Sequence, residues 1–187
     1  MISNPKPMSN PTIKDKKPIR LRGKTIVYVD WANVYGWSKS LKKEISLEKL
    51  FAYFRIYDGV EDIRLYFGED VNPKSKKFLV DARNIGYTVV SKEVKYIASG
   101  KIEGQVIHRR KCDFDMEVSI DVHKALAGGV EGFVFLTGDG DFAPLYEMLI
   151  ALRKQVVVIY TKGHIGREVW AISKGIFKAQ LKNIVDL

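Results

Sequence analysis

The chain has 187 residues, with 31 Lys and Arg against 22 Asp and Glu, a formal net charge of +9 and one cysteine. That length suits a single domain with a full core, and no apolar run approaches the ~20 residues of a membrane span. The N-terminus lacks a secretory h-region. Cys112 alone excludes an intrachain disulfide or a Cys-rich zinc site and fits a reducing, cytoplasmic setting.

Residues 1–22 read as a flexible basic arm and residues 23–187 as one domain. Within residues 1–24, Lys6, Lys14, Lys16, Lys17, Arg20, Arg22 and Lys24 face a single acid, Asp15. Clustered cations of this kind gain affinity for polyphosphates by releasing counterions, although a solvated tail has the same composition.

Beyond the arm, strand-like and helix-like segments alternate. "KTIVYVD" (24–30) and "DIRLYFG" (62–68) are β-rich runs. Each leads to helical spacing, in Leu47, Leu50, Phe51 and Phe54, and then in Phe78, Leu79 and Ala82. "GYTVVS" (86–91) is a third strand. "KEVKYIASGKIEGQVIHRRKC" breaks the alternation near 92–111 and predicts a hairpin or long loop carrying Lys92, Lys95, Lys101, Arg109, Arg110 and Lys111. It reads either as a solvated hairpin or as a basic flap over a phosphate-bearing substrate. A helix follows with Val118, Val122 and Leu126 on one face, then "GFVFLTG" (132–138), a helix bearing Leu145, Leu149 and Leu152, and "QVVVIY" (155–160). Buried strands alternating with amphipathic helices predict an α/β, three-layer, doubly wound sandwich around a parallel sheet.

Such sheets bind ligands beyond the carboxyl ends of their strands. Asp30 ends the first strand, Asp139 and Asp141 follow the fourth, and Asp113 and Asp115 open the helix before it. A lone Asp or Asn at such a place, Asn33 included, caps a helix. Several convergent carboxylates instead suit a hard divalent cation with oxygen ligands. His108, His123 and His164 show no metal-ligand spacing.

"VYVDWANVYG", "CDFDMEVSIDV" and "FVFLTGDGDFAPL" resemble the three signature segments of NYN-domain proteins, which are PIN-like nucleases, and the LabA-like branch in particular. Asp30 and Asn33 match the first motif. Asp115 matches the acid that opens the helix, Asp121 the acid six residues on, and Asp139, Asp141 and Phe142 the third motif. Cys112 and Asp113 depart from the usual lysine and glycine, and Thr137 and Gly140 stand where serines are common. The resemblance implies a Rossmann-like sheet in the order 3-2-1-4-5, a Mg²⁺- or Mn²⁺-dependent nuclease site and an RNA substrate.

Phosphodiester hydrolysis needs an activated water and charge neutralisation at the phosphoryl group, which carboxylate-held metals supply. Asp30 and Asp139 are assigned as primary ligands and Asp115 as the third. Asp141 is assigned to a second metal or to the water, and Asn33 to a metal-bound water or a phosphate oxygen. Asp121 and Thr137 rank second, Asp121 because six residues from Asp115 puts it on another helix face. Lys92, Lys95, Arg109 and Arg110 are assigned to substrate phosphates. Trp31, Tyr35 and Trp37 border the first motif as base-stacking platforms or as core. A non-cleaving RNA- or protein-binding module of the same fold is the alternative. A haloacid-dehalogenase-type phosphatase is disfavoured because Ala32 stands where its second Asp belongs. No membrane partner is expected, and homo-oligomerisation is left open.

Overall fold

Strand-forming runs that are apolar on both faces organise the molecule. In this computed structural model, which describes residues 19–102 and 105–184, the order is β1 (Thr25–Asp30), α1 (Trp31–Leu41), α2 (Leu47–Arg55), β2 (Val60–Glu69), α3 (Pro73–Ile85), β3 (Thr88–Glu93), β4 (Lys95–Ile102), β5 (Gln105–Lys111), α4 (Asp115–Ala127), β6 (Gly132–Leu136), α5 (Ala143–Ala151), β7 (Gln155–Tyr160), α6 (Arg167–Ala171) and β8 (Ile176–Gln180). Six strands form one sheet in the order β3-β2-β1-β6-β7-β8, and every adjacent pair is parallel. The five strands read from the sequence therefore lie in the order 3-2-1-4-5. β8 adds a sixth at the edge, which the sequence reading did not contain.

Alternation along each strand divides the core. Val27, Val29, Val134, Leu136, Val157 and Ile159 face α1, α2 and α3 in one layer, with Trp31, Trp37, Leu50, Phe54 and Ala82. Ile26, Tyr28, Phe133, Phe135, Val156 and Val158 face α4, α5 and α6 in the other, with Val118, Val122, Tyr146, Leu149 and Val169. The second layer is aromatic at its centre, where the Tyr28 ring lies 5.0 Å from that of Phe135. Such a two-sided sheet is the arrangement that parallel strands require.

The segment near 92–111 is a separate antiparallel hairpin, β4 with β5, and Lys92 belongs to β3 instead. Tyr96 donates to Asp70 (2.7 Å), and the Arg110 guanidinium lies 3.5 Å from the same carboxylate, so the hairpin is tied to the chain just after β2. The expected arm falls mostly outside the described residues. Its last four residues differ from the expectation. Ile19 is buried and its N–H donates to Tyr57 (3.1 Å), while Arg20 and Arg22 exchange backbone hydrogen bonds with the Gln155 side chain. An apolar residue that finds a core overrides its polar surroundings.

Candidate functional site

Register brings two of the three signature segments together. Val29 of β1 lies opposite Leu136 of β6, so Asp30 and Thr137 leave the sheet side by side. Thr137 Oγ1 donates to Asp30 Oδ2 (3.3 Å) and accepts from the Asp139 N–H (3.2 Å), bridging the segments through one buried hydroxyl.

Both acids also cap. Asp30 Oδ1 accepts from the N–H groups of Ala32 and Asn33 at the start of α1, and its Oδ2 accepts from Asn33 Nδ2 (2.7 Å). Asp139 Oδ1 accepts from the Asp141 N–H (3.1 Å) at a 3₁₀ turn, Gly140–Phe142. The cap that either residue would form alone is thus real, and it does not exclude a ligand role: capping leaves Asp139 Oδ2 without a hydrogen bond among the described residues. Asp30 is more fully engaged, since both its oxygens already accept. Asn33 is the donor that steadies it.

The carboxylates feel one another. Burial pushes the Asp30 carboxyl above its usual range, hydrogen bonds from Asn33 and Thr137 pull it back, and the Asp139 charge adds a further push upward. Asp115, the first residue of α4, is raised first by burial and then by the charges of Asp139, Asp113, Asp141 and Asp30. It has no hydrogen-bonded partner among the described residues. The buried Tyr146 hydroxyl also lacks a partner among the described residues, and burial first and then the charges of Asp139 and Asp30 push it upward.

Among the described residues, no three of His, Cys, Asp or Glu are spaced as a finished metal cage. Asp30, Asp115, Asp139 and Asp141 nonetheless share one edge, where the charges of the other three act on Asp115. Four unpaired like charges resist closer approach. As a donor set they still suit a hard cation, being all oxygen.

The remaining expected residues scatter. Asp121 is turned away from the edge, accepting from Tyr66 (2.8 Å) and pairing with Arg64 (3.1 Å) and Lys124 (3.9 Å). Lys92 pairs with Glu117 (2.6 Å) and lies 4.8 Å over the Phe114 ring. Lys95 and Arg109 are exposed on the hairpin. Arg110 leans over a groove of about 590 Å³ whose walls include Trp31, Tyr35, Phe67, Phe78 and Phe114. Trp31 and Trp37 are core residues, whereas Tyr35 is 66% exposed.

Several residues here had not been singled out. Asp70 stands directly after β2, and the rule that selected Asp30 would have selected it too. Glu117, Tyr146 and Glu168 had no local signal. Glu168 stands beside one departure from the family pattern: a side chain at Gly140 would displace its carboxylate, the free end of a flexible side chain, and would only touch Gly166. That loop is held on the site by the Gly166 N–H, which donates to the Gly138 carbonyl (2.7 Å).

Fold and site together define a Rossmann-like α/β domain with an acidic carboxyl edge. The chain belongs to the NYN-domain family, whose model matches residues 24–175. It is 25% identical over 144 residues to the low amplitude and bright protein LabA of Synechococcus elongatus, covering 76% of each chain. Its fold matches the crystal structure of a protein of unknown function from Vibrio parahaemolyticus with a TM-score of 0.66 and 18% identity, over 96% of this chain and all of the other. Among the described residues no helix is long and apolar enough to cross a membrane.

Proposed function

We propose that the protein is a divalent-metal-dependent ribonuclease, cutting within RNA and working in the cytoplasm. The observation that carries this is the meeting of Asp30, Asp115, Asp139 and Asp141 at one edge of an NYN domain, where Asp115 is raised by burial first and then by the charges of Asp139, Asp113, Asp141 and Asp30. Asp139, Asp115 and Asp141 would hold Mg²⁺ or Mn²⁺, joined by Asp30 when its Oδ2 releases Asn33 or Thr137. The ion would neutralise phosphoryl charge and sharpen a water nucleophile. Asn33, once released, is an amide donor for a phosphate oxygen. Thr137 fixes the separation of Asp30 and Asp139. Lys95, Arg109 and Arg110 offer cations to the backbone of the substrate, and Lys92 joins them if it leaves Glu117.

A second reading, an RNA-binding module that does not cleave, is favoured by the four hydrogen bonds that already occupy Asp30. Incubation of labelled RNA with the protein, in Mn²⁺ and in EDTA, separates the two. A nuclease yields products only with metal, and Asp139→Asn slows it by at least ~100-fold, the scale on which one charge-stabilising group is felt. Retention of intact RNA under both conditions selects the binding module.

A further inference from the structure

The groove beside the acids has a chemistry of its own. One wall is α1, where Trp31 and Tyr35 lie one helical turn apart on the same side. The floor runs from Trp31 onto α3 and β2, where Phe78 is tilted against Trp31 (5.1 Å) and Phe67 (4.4 Å). Phe114 and Arg110 close the hairpin side. The groove meets the acidic edge twice, because Trp31 follows Asp30 and Phe114 precedes Asp115. Its volume is that of a small-ligand cleft, which spans roughly 300–1,000 Å³, but its mouth is open.

Tyr35 is the informative residue. Its ring lines the groove yet is 66% exposed and stacks on no other aromatic among the described residues. Phe78 is already packed against both Trp31 and Phe67, and the three rings form the floor. A flat face above that floor, a rim of Lys74 and of Arg110, whose pairing with Asp70 a phosphate can replace, and carboxylates at the end together match one kind of occupant. It is flat and aromatic, is joined to a phosphate, and is reached from solvent.

We propose that this groove takes one unstacked nucleobase of a single-stranded RNA, with Tyr35 closing over it and the adjoining phosphate at the acidic edge. The inference rests on the reading of that edge as a site for RNA. A duplex keeps both faces of its bases covered and cannot offer one to Tyr35, so the groove selects unpaired strands. An apolar peptide has no use for the Arg110 and Lys74 rim, and a free phosphate none for the rings.

The test is binding of a short end-labelled oligo(rA), alone or annealed to oligo(rU), to the full chain in EDTA by fluorescence anisotropy. Base–aromatic stacking on the scale of alanine substitutions predicts that Tyr35→Ala weakens single-strand binding about 5- to 150-fold. Tyr35→Phe should retain it, the duplex affinity should stay within about twofold, and the salt slope should not change because no phosphate contact is lost. Single-strand binding that is indifferent to Tyr35→Ala overturns the proposal, as does an equal loss on the duplex. Cleavage in Mn²⁺ is read separately. A Tyr35-dependent binder that never cleaves keeps the base site and loses the nuclease, and a nuclease indifferent to Tyr35 does the reverse.

Discussion

Asp30 and Asp115 reach the same edge and are held there by opposite means. Asp30 ends a buried strand, and four donors from Ala32, Asn33 and Thr137 fix both of its oxygens. Asp115 opens a helix whose preceding residue makes no side-chain cap, and its position comes from α4 as a whole. Hydrogen bonds specify the carboxylate on the sheet side, and helix packing specifies the one on the other. The site is therefore pre-ordered on one side and adjustable on the other, which suits a cluster whose members repel until a cation joins them.

The largest effect should come from unseating α4. Asp121 ties that helix to β2 through Arg64 (3.1 Å) and Tyr66 (2.8 Å), with both charged side chains four-fifths or more covered. Removing Asp121 leaves Arg64 with Asp62 alone (2.8 Å) and the Tyr66 hydroxyl without its acceptor, two losses that together cost about 3 kcal/mol. Urea unfolding of Asp121→Ala should show that loss, and Asp121→Asn, which keeps an acceptor for Tyr66, a smaller one. Equal stability of Asp121→Ala and wild type would mean that α4, and with it Asp115, is positioned by its apolar face alone.

Thr137→Val tests the other side and should have the next largest effect. The substitution keeps the volume, removes the donor to Asp30 and leaves the Asp139 N–H unsatisfied. One unmet buried group costs about 1–3 kcal/mol. Thr137→Ser should recover most of it. A Val variant as stable as wild type would show that the bridge between the two acids carries no energy.

How much of this could be read in advance follows from what each feature depends on. β1, β6 and β7 are apolar on both faces, so their burial is written in consecutive residues. β8 leaves little mark in the sequence because an edge strand buries little: Phe177 is exposed and only Ala179 is buried, so "IFKAQ" looks like a loop. α1 carries Gly36 and three aromatics, poor helix formers, and it is its packing of Trp31, Val34 and Trp37 that decides its conformation. Ile19 reads as part of the arm because Lys16, Lys17, Arg20 and Arg22 surround it. At the site, the acids stand at strand ends, where chain position alone draws attention to them. Their partners are long-range. Nothing near Lys92 announces Glu117, and nothing near Asp121 announces Arg64. The aromatic groove joins residues from α1, β2, α3 and the hairpin, so no single segment carries its pattern.

The smallest effect, and the one that bears most directly on the contrast, is Asp115→Asn without metal. The carboxyl of Asp115 is raised above its ordinary value of 3.8 by burial and by four neighbouring Asp residues. A carboxyl raised on folding holds its proton more tightly in the native state, so its ionisation weakens the fold. Its contribution is fully present below 3.8 and is lost as pH rises through the folded value. The Asn variant has no such titration. In EDTA it should melt above wild type at pH 7, and the gap should close as pH falls toward 4. The gain is under ~1 kcal/mol, because the group is open to solvent. It is also opposed by the helix dipole, which favours an acid in the first turn by about 0.3–1 kcal/mol. Repulsion should win, since Glu117 still serves the dipole while Asp139, Asp113, Asp141 and Asp30 all act against Asp115. Mn²⁺ should then invert the order, because an ion bound to the native state adds about 2.7 kcal/mol at a hundredfold excess over Kd and the amide holds it less well. A variant that is less stable at pH 7 in EDTA would make Asp115 a dipole residue like Glu117, and an order that Mn²⁺ leaves unchanged would remove it from the metal ligands.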